Sequence, residues 1–281
     1  MKILITGGKG MLGRTLQRHL AGHTLALADL PEVDLTDLGA INAAIASFRP
    51  ETVIHCAAMT AVDKCESESD QAYRINALGS AHTAISCHRH GARLIAISTD
   101  YVFSGELGRP YHEWDAPGPR TVYGASKLAG ELAVRAHCPD HVIARIAWLY
   151  GPGGPSFVHT MLKLGTQAGG PLKVVDDQLG NPTSTDAVAE RLKDLLKTPL
   201  AGTFHLTCEG EATWYAFTQA IFAARGIKRP VLPCTTQEFP RPAPRPANSR
   251  LEKRALRLCN LAPMPQWQES LARFLRENPQ G

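Results

Sequence analysis

The chain has 281 residues, a length that suggests one large domain or two modest ones at about 150 residues per domain. Hydrophobic residues make up 44% of it and charged residues 20%, which excludes a disordered chain, a collagen-like fibre and a disulfide-stapled miniprotein. The net charge of +4 is scattered along the chain, so we expect no nucleic-acid partner. No apolar stretch approaches the roughly 20 residues that span a bilayer, so we expect no membrane contact.

The N-terminus and the cysteines indicate the compartment. The chain starts MKILITGG, without the charged and then apolar leader and small-residue cleavage site of a secreted protein. Its 7 cysteines include no C-x-x-C pair and no cluster with the spacing of a metal site. We therefore expect free thiols in a reducing environment and a cytoplasmic protein.

The first half of the chain alternates between strand and helix patterns. Short β-rich runs are followed by helical patterns of similar length, an alternation typical of βαβ units and of a parallel sheet with helices on both faces. The sequence therefore predicts an α/β fold with a Rossmann-type, doubly wound parallel sheet. The predicted strands are 2–6, 25–28, 52–56, 93–98 and 142–146, and the predicted helices are 11–20, 38–48, 70–88 and 122–137.

The pattern becomes less regular after about residue 148. A proline-rich run at 240–246 is typical of an extended linker. We predict a first domain at 1–147 and a smaller second domain at 148–281, some segments of which return to the first. The predicted elements of the second half are helices 156–167, 185–196, 213–224 and 266–277 and a strand at 172–175.

Three glycines follow the first predicted strand and open the first predicted helix. They are Gly7, Gly10 and Gly13, and a strand and a helix on either side make such a turn typical of dinucleotide pyrophosphate binding. Gly7 permits the tight turn, Gly10 lets the backbone approach the phosphates, and Gly13 lets the helix pack closely on the strand. The helix N-terminus then faces the phosphate charge. The alternative is an ordinary glycine-rich turn.

An acidic residue, Asp29, ends the second predicted strand. A carboxylate at this place accepts hydrogen bonds from the adenosine ribose hydroxyls, which favours NAD over NADP. Lys9, within the glycine turn, has the opposite effect because its charge offsets that of a 2′-phosphate. The two signals conflict, and both NADPH and NADH remain open as cofactor. The alternative for Asp29 is an ordinary turn residue.

Tyr123 and Lys127 are four residues apart on a predicted helix and therefore share one face. A free tyrosine has a pKa near 10, and we expect the neighbouring ammonium to lower the pKa of Tyr123 towards neutrality. The pair would then act in acid–base chemistry. Ser98 and Thr99 end the fourth predicted strand, where open α/β sheets bind ligands, and spacing alone does not choose between their hydroxyls.

Together these motifs resemble a known family. The segments TGGKGMLG, HCAAMTAVDKCE, RINALGSAH, STDYVFSG, YGASKLAGE, RIAWLYGPGG, DDQLGNPTSTD and RPANSRL are similar to those of the dTDP-4-dehydrorhamnose reductases, which are extended short-chain dehydrogenase/reductases. The resemblance covers nearly the whole chain. It implies NADPH- or NADH-dependent reduction of the C4 keto group of dTDP-4-dehydro-β-L-rhamnose to dTDP-L-rhamnose, the last step of dTDP-rhamnose biosynthesis, which serves cell-surface polysaccharides.

The resemblance also assigns site residues. It implies that Thr99, rather than Ser98, is catalytic together with Tyr123 and Lys127, and that the second domain binds the nucleotide-sugar, with the RPANSRL segment closing its pocket. Without the resemblance, Trp148 would be interpreted as a core residue. Implied substrate-binding residues are Thr99, Asp100 and Trp148, and implied cofactor-binding residues, beside the glycines, Tyr123 and Lys127, are Met11, Leu12, Asp29, Asp34, Leu35, Ala57, Ala58 and Thr60.

The sequence departs from the family at one place. Some members form a magnesium-bridged dimer through a glutamate at the position of Thr15, although Asp186 and Glu277 lie near where other acidic ligands would fall. Because magnesium requires oxygen ligands, usually carboxylates, we expect no metal and a monomer or weak homodimer. Two alternatives remain: a reductase of another nucleotide-linked 4-keto sugar, and a non-catalytic regulatory subunit resembling the methionine adenosyltransferase β subunit. The presence of Thr99, Tyr123 and Lys127 together weighs against the second.

Overall fold

The computed structural model describes residues 1–279, and its centre is a six-stranded parallel sheet. The strands are ordered β10-β5-β4-β3-β1-β2, and those nearest the centre, β3 and β4, are buried along their whole length. Buried Val, Ile and Leu side chains on both faces explain why the sheet is covered on both sides. The strands are β1 Lys2–Thr6, β2 Thr24–Ala28, β3 Thr52–His55, β4 Arg93–Thr99, β5 His141–Ile146, β6 Leu149–Tyr150, β7 Leu172–Val175, β8 Leu179–Gly180, β9 Thr183–Ser184, β10 Gly202–His205, β11 Ala212–Thr213 and β12 Val231–Cys234.

Helices cover the sheet on both faces. One apolar cluster joins the sheet to α1, α7, α8, α9 and α11, and a second joins it to α2, α5 and α6. Short two-stranded sheets, β11-β8, β12-β7 and β6-β9, lie outside the central sheet. The helices are α1 Met11–His19, α2 Leu38–Phe48, α3 Val62–Ser67, α4 Ser69–Tyr73, α5 Gly79–Arg89, α6 Val122–His137, α7 Phe157–Thr166, α8 Thr185–Leu195, α9 Trp214–Arg225, α10 Arg254–Leu258 and α11 Trp267–Glu277.

The strand order reverses between β1 and β3, because β2 follows β1 on one side and β3 lies on the other. Open α/β sheets bind ligands in the crevice that such a reversal leaves at the carboxyl ends of the strands. The predicted doubly wound sheet is confirmed, and the reversal brings the turns after β1 and β3 together.

Several elements differ from the sequence prediction, which did not include α3, α10, β12 or the two-residue strands β6, β8, β9 and β11. The helix predicted at 70–88 is divided into α4, a π-helical turn at Arg74–Leu78 and α5. Within that turn the Asn76 carboxamide binds the backbone of Met59, which a regular helix pattern cannot reveal. The prediction also missed β10, whose sequence GTFH is too short and too little apolar to be recognised as a strand.

The central sheet takes its sixth strand, β10, from the second half of the chain, where it pairs with β5. The division into 1–147 and 148–281, with segments of the second part returning to the first, stays a prediction. Among residues 1–279, no helix combines the length and the apolar character that crossing a membrane requires.

Candidate active site

The glycine turn after β1 has the shape of a phosphate cradle. Gly7 has a φ of +67°, and a Cβ atom there would lie 2.6 Å from the backbone nitrogen of Ala57. A Cβ on Gly13 would lie 2.6 Å from the Cα of Gly8. At Gly10, which precedes α1, no side chain caps the helix, and its first turn holds no acidic residue. The N-terminal amides of α1 are therefore left to an anion.

A cleft of about 720 Å³ opens over this turn and the carboxyl ends of the central strands. Its lining includes the three predicted glycines and every other residue predicted to bind cofactor or substrate. The structure thus brings together side chains that are far apart in the chain. The predicted residues that line the cleft are Gly7, Gly10, Met11, Leu12, Gly13, Asp29, Asp34, Leu35, Ala57, Ala58, Thr60, Thr99, Asp100, Tyr123, Lys127 and Trp148.

Tyr123 and Lys127 lie on the buried face of α6, and only 9% and 6% of their surfaces are exposed. Burial raises the pKa of Tyr123, although a hydrogen bond with Thr99 opposes the change. Burial also lowers the pKa of Lys127 to about 8, and its Nζ donates to the Ile97 carbonyl at 2.8 Å. The expectation that Lys127 lowers the pKa of Tyr123 is therefore wrong, because burial raises that pKa instead. Tyr123 is a neutral phenol at physiological pH, the form that donates a proton.

Ser98 and Thr99 point to opposite sides at the end of β4, as successive residues of a strand do. The Ser98 hydroxyl donates to Glu131 Oε1 at 2.6 Å inside the protein. The Thr99 hydroxyl instead donates to Asp100 Oδ1 at 3.0 Å and also contacts Tyr123. Of the two hydroxyls left open by the sequence, the one beside Tyr123 belongs to Thr99.

Asp100 is a buried carboxyl at the cleft, and 5% of its surface is exposed. Its Oδ2 atom has no hydrogen-bond partner among the described residues, whereas its Oδ1 atom accepts a hydrogen bond from Thr99 Oγ1 at 3.0 Å. Burial raises the pKa of Asp100 to about 6. A buried polar atom without a partner is rare, so an oxygen left open at a cleft indicates a place for a ligand hydroxyl.

Trp148 has an unusual conformation at the edge of the cleft. Its φ of +47° lies in the left-handed region, which costs a residue with a side chain about 1–2 kcal/mol. One face of its indole stacks on Trp214, with ring centroids 3.4 Å apart and planes 6° apart. A Cβ on Gly180 would lie 2.6 Å from the Cζ2 atom of Trp148, so a larger residue there would displace the ring. Trp148 is half-buried, contacting the core and the cleft at once.

A buried polar network beneath the cleft was not found from the sequence. Asn76 Nδ2 donates to Ser126 Oγ at 3.0 Å, and Ser126 donates to the Tyr123 carbonyl at 2.8 Å. Glu131 pairs with Arg145 through two hydrogen bonds of 2.8 and 2.7 Å, and both side chains are almost fully buried. The available signal was polar residues on the apolar face of α6, where Ser126 and Glu131 share the side of Tyr123.

The RPANSRL segment, predicted from composition to be a linker, packs beside the cleft. The Ser249 hydroxyl lies close enough to Asp100 to lower its pKa, and Asn248 Nδ2 donates to the Arg109 carbonyl at 2.8 Å. Arg245 pairs with Asp63 of α3 at 2.8 Å. These contacts connect the second half of the chain to the cofactor-side turns.

The residues discussed for a metal bridge are engaged with other partners. The Thr15 hydroxyl donates to Thr185 Oγ1 at 2.9 Å, and Asp186 Oδ1 lies 2.7 Å from His19 Nε2. Glu277 lies 3.9 Å from Arg273. In residues 1–279, no group of three or more His, Cys, Asp or Glu side chains is arranged to hold a metal ion.

The reversing parallel sheet and the glycine cradle define a Rossmann-type dinucleotide-binding fold. The chain belongs to the family described as RmlD substrate binding domain, whose model matches residues 1–279. This confirms the predicted resemblance.

Individual relatives agree with the family. The chain is 44% identical to a dTDP-4-dehydrorhamnose reductase of Streptomyces griseus over 95% of this chain and 91% of the relative. It is 42% identical to a probable dTDP-4,6-dihydroxy-2-methyloxan-3-one 4-ketoreductase of Streptomyces antibioticus, over 96% and 93%. The structure of the Bacillus anthracis dTDP-4-dehydrorhamnose reductase in complex with NADP is 39% identical and has a TM-score of 0.96, covering 98% of this chain and 99% of that one.

Proposed function

We propose that this protein is an NAD(P)H-dependent reductase that converts dTDP-4-dehydro-β-L-rhamnose into dTDP-L-rhamnose. The observation that carries the proposal is the position of Tyr123, a protonated phenol beside Thr99 at a cleft that also contains a phosphate cradle. A ketone reduction needs these two features together, because hydride and proton must reach the same carbonyl group from two sources. Relatives of near full-length similarity named as this reductase support the substrate.

The residues present fit a nicotinamide dinucleotide. The uncapped N-terminus of α1 and the glycine turn would hold the pyrophosphate. Asp29 would accept hydrogen bonds from the hydroxyls of the adenosine ribose. We propose that the cofactor also contacts cleft residues that follow β1, β2 and β3: Met11, Leu12, Asp34, Leu35, Ala57, Ala58 and Thr60. When bound, the cofactor supplies a hydride; positioning and proton transfer belong to the chain's own residues.

Each polar residue beside the carbonyl site has a separate proposed role. Tyr123 Oη donates its proton to the developing alkoxide, and Thr99 Oγ1 polarises the carbonyl oxygen by donating a hydrogen bond. Lys127 orients the ribose next to the reacting ring by donating hydrogen bonds from its ammonium. The Oδ2 atom of Asp100, which has no protein partner among the described residues, accepts a hydrogen bond from a sugar hydroxyl. Trp148 packs against the C–H groups of the sugar.

A direct assay tests the function. Purified protein mixed with NADPH or NADH and dTDP-4-dehydro-β-L-rhamnose should oxidise the cofactor and form dTDP-L-rhamnose, detected by absorbance and by mass. Cofactor binding without turnover of any nucleotide-linked 4-keto sugar would favour the regulatory-subunit alternative. Turnover of a different keto sugar would keep the chemistry and change the substrate.

That second candidate, a reductase of another nucleotide-linked 4-keto sugar, has support of its own. The Streptomyces antibioticus relative is named for a different dTDP-linked keto sugar at 42% identity. The residues proposed to contact the carbonyl, Tyr123 and Thr99, have no role that would discriminate between the other substituents of the sugar. A competition assay with both keto sugars would discriminate between the two candidates by their kcat/KM ratio.

Replacing Trp148 with alanine should raise the KM for the keto sugar by about 3- to 10-fold, the effect of losing one aromatic packing surface. Trp214 provides a matched control, because it stacks on the far face of Trp148 but does not line the cleft. Trp214→Ala should lower the melting temperature and change KM less. Steady-state kinetics and thermal unfolding of both variants measure this. Equal KM values in the two variants would return Trp148 to a purely structural role.

The pH profile should report on Lys127. Because its pKa is lowered to about 8, kcat/KM should fall as the pH rises through 8 and the ammonium is lost. Unfolding does not explain such a fall. Between pH 8 and pH 10.5, the ordinary pKa of lysine, the unfolded chain binds more protons at Lys127 than the folded protein does. The contribution of Lys127 to the free energy of unfolding therefore rises with pH over this range. In Lys127→Met the alkaline limb should disappear at a lower overall rate. A limb that persists in this variant would assign the titration to another group.

Two expectations from the sequence remain predictions: a cytoplasmic location, and a monomer or weak homodimer without metal. Size-exclusion chromatography with light scattering, with and without Mg²⁺, measures the second. The proposed chemistry uses one chain, because every residue assigned a role lies in one cleft.

A further inference from the structure

The carboxyl end of β2 holds more charge than the ribose-binding role requires. Asp29 Oδ2 accepts a hydrogen bond from the backbone N–H of Lys9 at 2.9 Å, which fixes the carboxylate against the glycine turn. Its Oδ1 atom forms no hydrogen bond within residues 1–279 and is left for a ligand hydroxyl. A single acidic residue in this position would be the ordinary arrangement for a dinucleotide ribose.

Lys9 carries its charge around this same corner. Its Nζ atom donates to the Leu30 carbonyl at 2.7 Å and to Glu32 Oε2 at 3.2 Å. The ammonium is thereby held on the side of the loop that follows β2, and its charge is matched by a carboxylate. Both side chains are solvent-accessible, with exposed fractions of 55% for Lys9 and 70% for Glu32, so the ion pair can open without unfolding anything.

NADH and NADPH differ at one group, the 2′-phosphate on the adenosine ribose, which carries a charge of about −1.5 to −2. Beside Asp29 that phosphate is repelled, and Lys9 offsets the repulsion only when its ammonium turns away from Glu32. Glu32 therefore weakens NADPH binding in two ways: it adds negative charge near the phosphate, and it holds the Lys9 ammonium in an ion pair. A ribose hydroxyl makes neither demand, so NADH binding does not require the pair to open.

We propose that Glu32 is a specificity-determining residue: it holds Lys9 in an exposed ion pair and so biases the cofactor site towards NADH. The inference rests on the proposed function. An exposed ion pair shifts an equilibrium by no more than about fivefold, so the site accepts both cofactors and prefers one modestly. This reconciles the opposing signals of Asp29 and Lys9, since the lysine is available to NADPH at a cost set by Glu32.

The test is direct binding, measured by titrating NADH and NADPH and following the cofactor fluorescence or the heat released. Glu32→Gln should tighten the Kd for NADPH by about 3- to 5-fold and change the Kd for NADH less than twofold. The gain should decrease at high salt, because exposed charges are screened. In the double variant Glu32→Gln, Lys9→Met the gain in NADPH affinity should disappear.

A matched control is Glu269→Gln, which makes the same change in net charge on an exposed part of α11 outside the cleft. It should leave both Kd values unchanged. An unchanged NADPH:NADH ratio in Glu32→Gln, or a gain that survives Lys9→Met, would overturn the role of Glu32 and leave the proposed reductase standing. If the wild-type protein binds neither dinucleotide, the proposed function fails and this inference fails with it.

Discussion

Tyr123→Phe should lower kcat by about 10²–10⁴-fold, the contribution of a positioned proton donor, while the Kd values for cofactor and sugar change little. The variant removes one oxygen from a side chain that is 9% exposed and keeps the ring in its contact with Tyr101. The cleft should keep its shape, so the loss should appear in the chemical step. Single-turnover kinetics with saturating cofactor and keto sugar would measure it.

The neighbouring ring offers the control for this variant. Tyr101 packs edge-on against Tyr123, with centroids 5.5 Å apart, and lines the same cleft. Tyr101→Phe removes an equivalent hydroxyl without removing the proposed acid and should change kcat only a few-fold. If the two variants lost activity equally, proton donation would not be the distinguishing role of Tyr123.

Glu131→Ala should lower the free energy of unfolding by about 3–5 kcal/mol, because it leaves the Arg145 guanidinium buried without its counter-ion. The two side chains are only 2% and 1% exposed and are joined by two hydrogen bonds. Ser98 loses its acceptor in the same variant. Denaturant unfolding followed by circular dichroism would measure the difference.

An exposed ion pair is the natural comparison. Glu106 pairs with Arg120 at 2.5 Å, with exposed fractions of 68% and 59%, so Glu106→Ala should cost less than about 1 kcal/mol. Replacing Glu131 and Arg145 together by leucine and methionine should recover most of the loss, since no buried charge then lacks a partner. A double variant as unstable as Glu131→Ala would show that the cost comes from packing instead of charge.

Features that depend on local pattern were predictable from the sequence. The apolar runs of β1 and β3, the glycines between β1 and α1, and the helical spacing of Tyr123 and Lys127 each follow from a few consecutive residues. Parallel strands connected by helices bring their carboxyl ends to one edge, so the meeting of these motifs at one cleft also follows. That is why residues predicted from separate segments line the same cleft.

Features that depend on distant partners were not predictable in this way. Glu131 on α6 becomes significant only because Arg145 on β5 lies beside it. The raised pKa of Tyr123 comes from burial by the whole fold, while the i,i+4 spacing to Lys127 indicated the opposite direction. The π-helical turn at Arg74–Leu78 likewise depends on backbone groups of Met59 that a sequence pattern does not contain.

The pairing of β10 with β5 has a consequence for how substrate choice can change. Both ends of the chain between Ile146 and Gly202 are fixed by neighbouring strands of one sheet, so this stretch is a long excursion anchored at both ends. It includes Trp148 near its start and contains α7 and α8. Substitutions near its start, around Trp148, can therefore remodel the proposed sugar side, whereas α8 packs on α1 through the hydrogen bond between Thr15 and Thr185 and so supports the glycine turn. A change of sugar preference can therefore begin at the first residues of this crossover without altering the helix that supports the glycine turn.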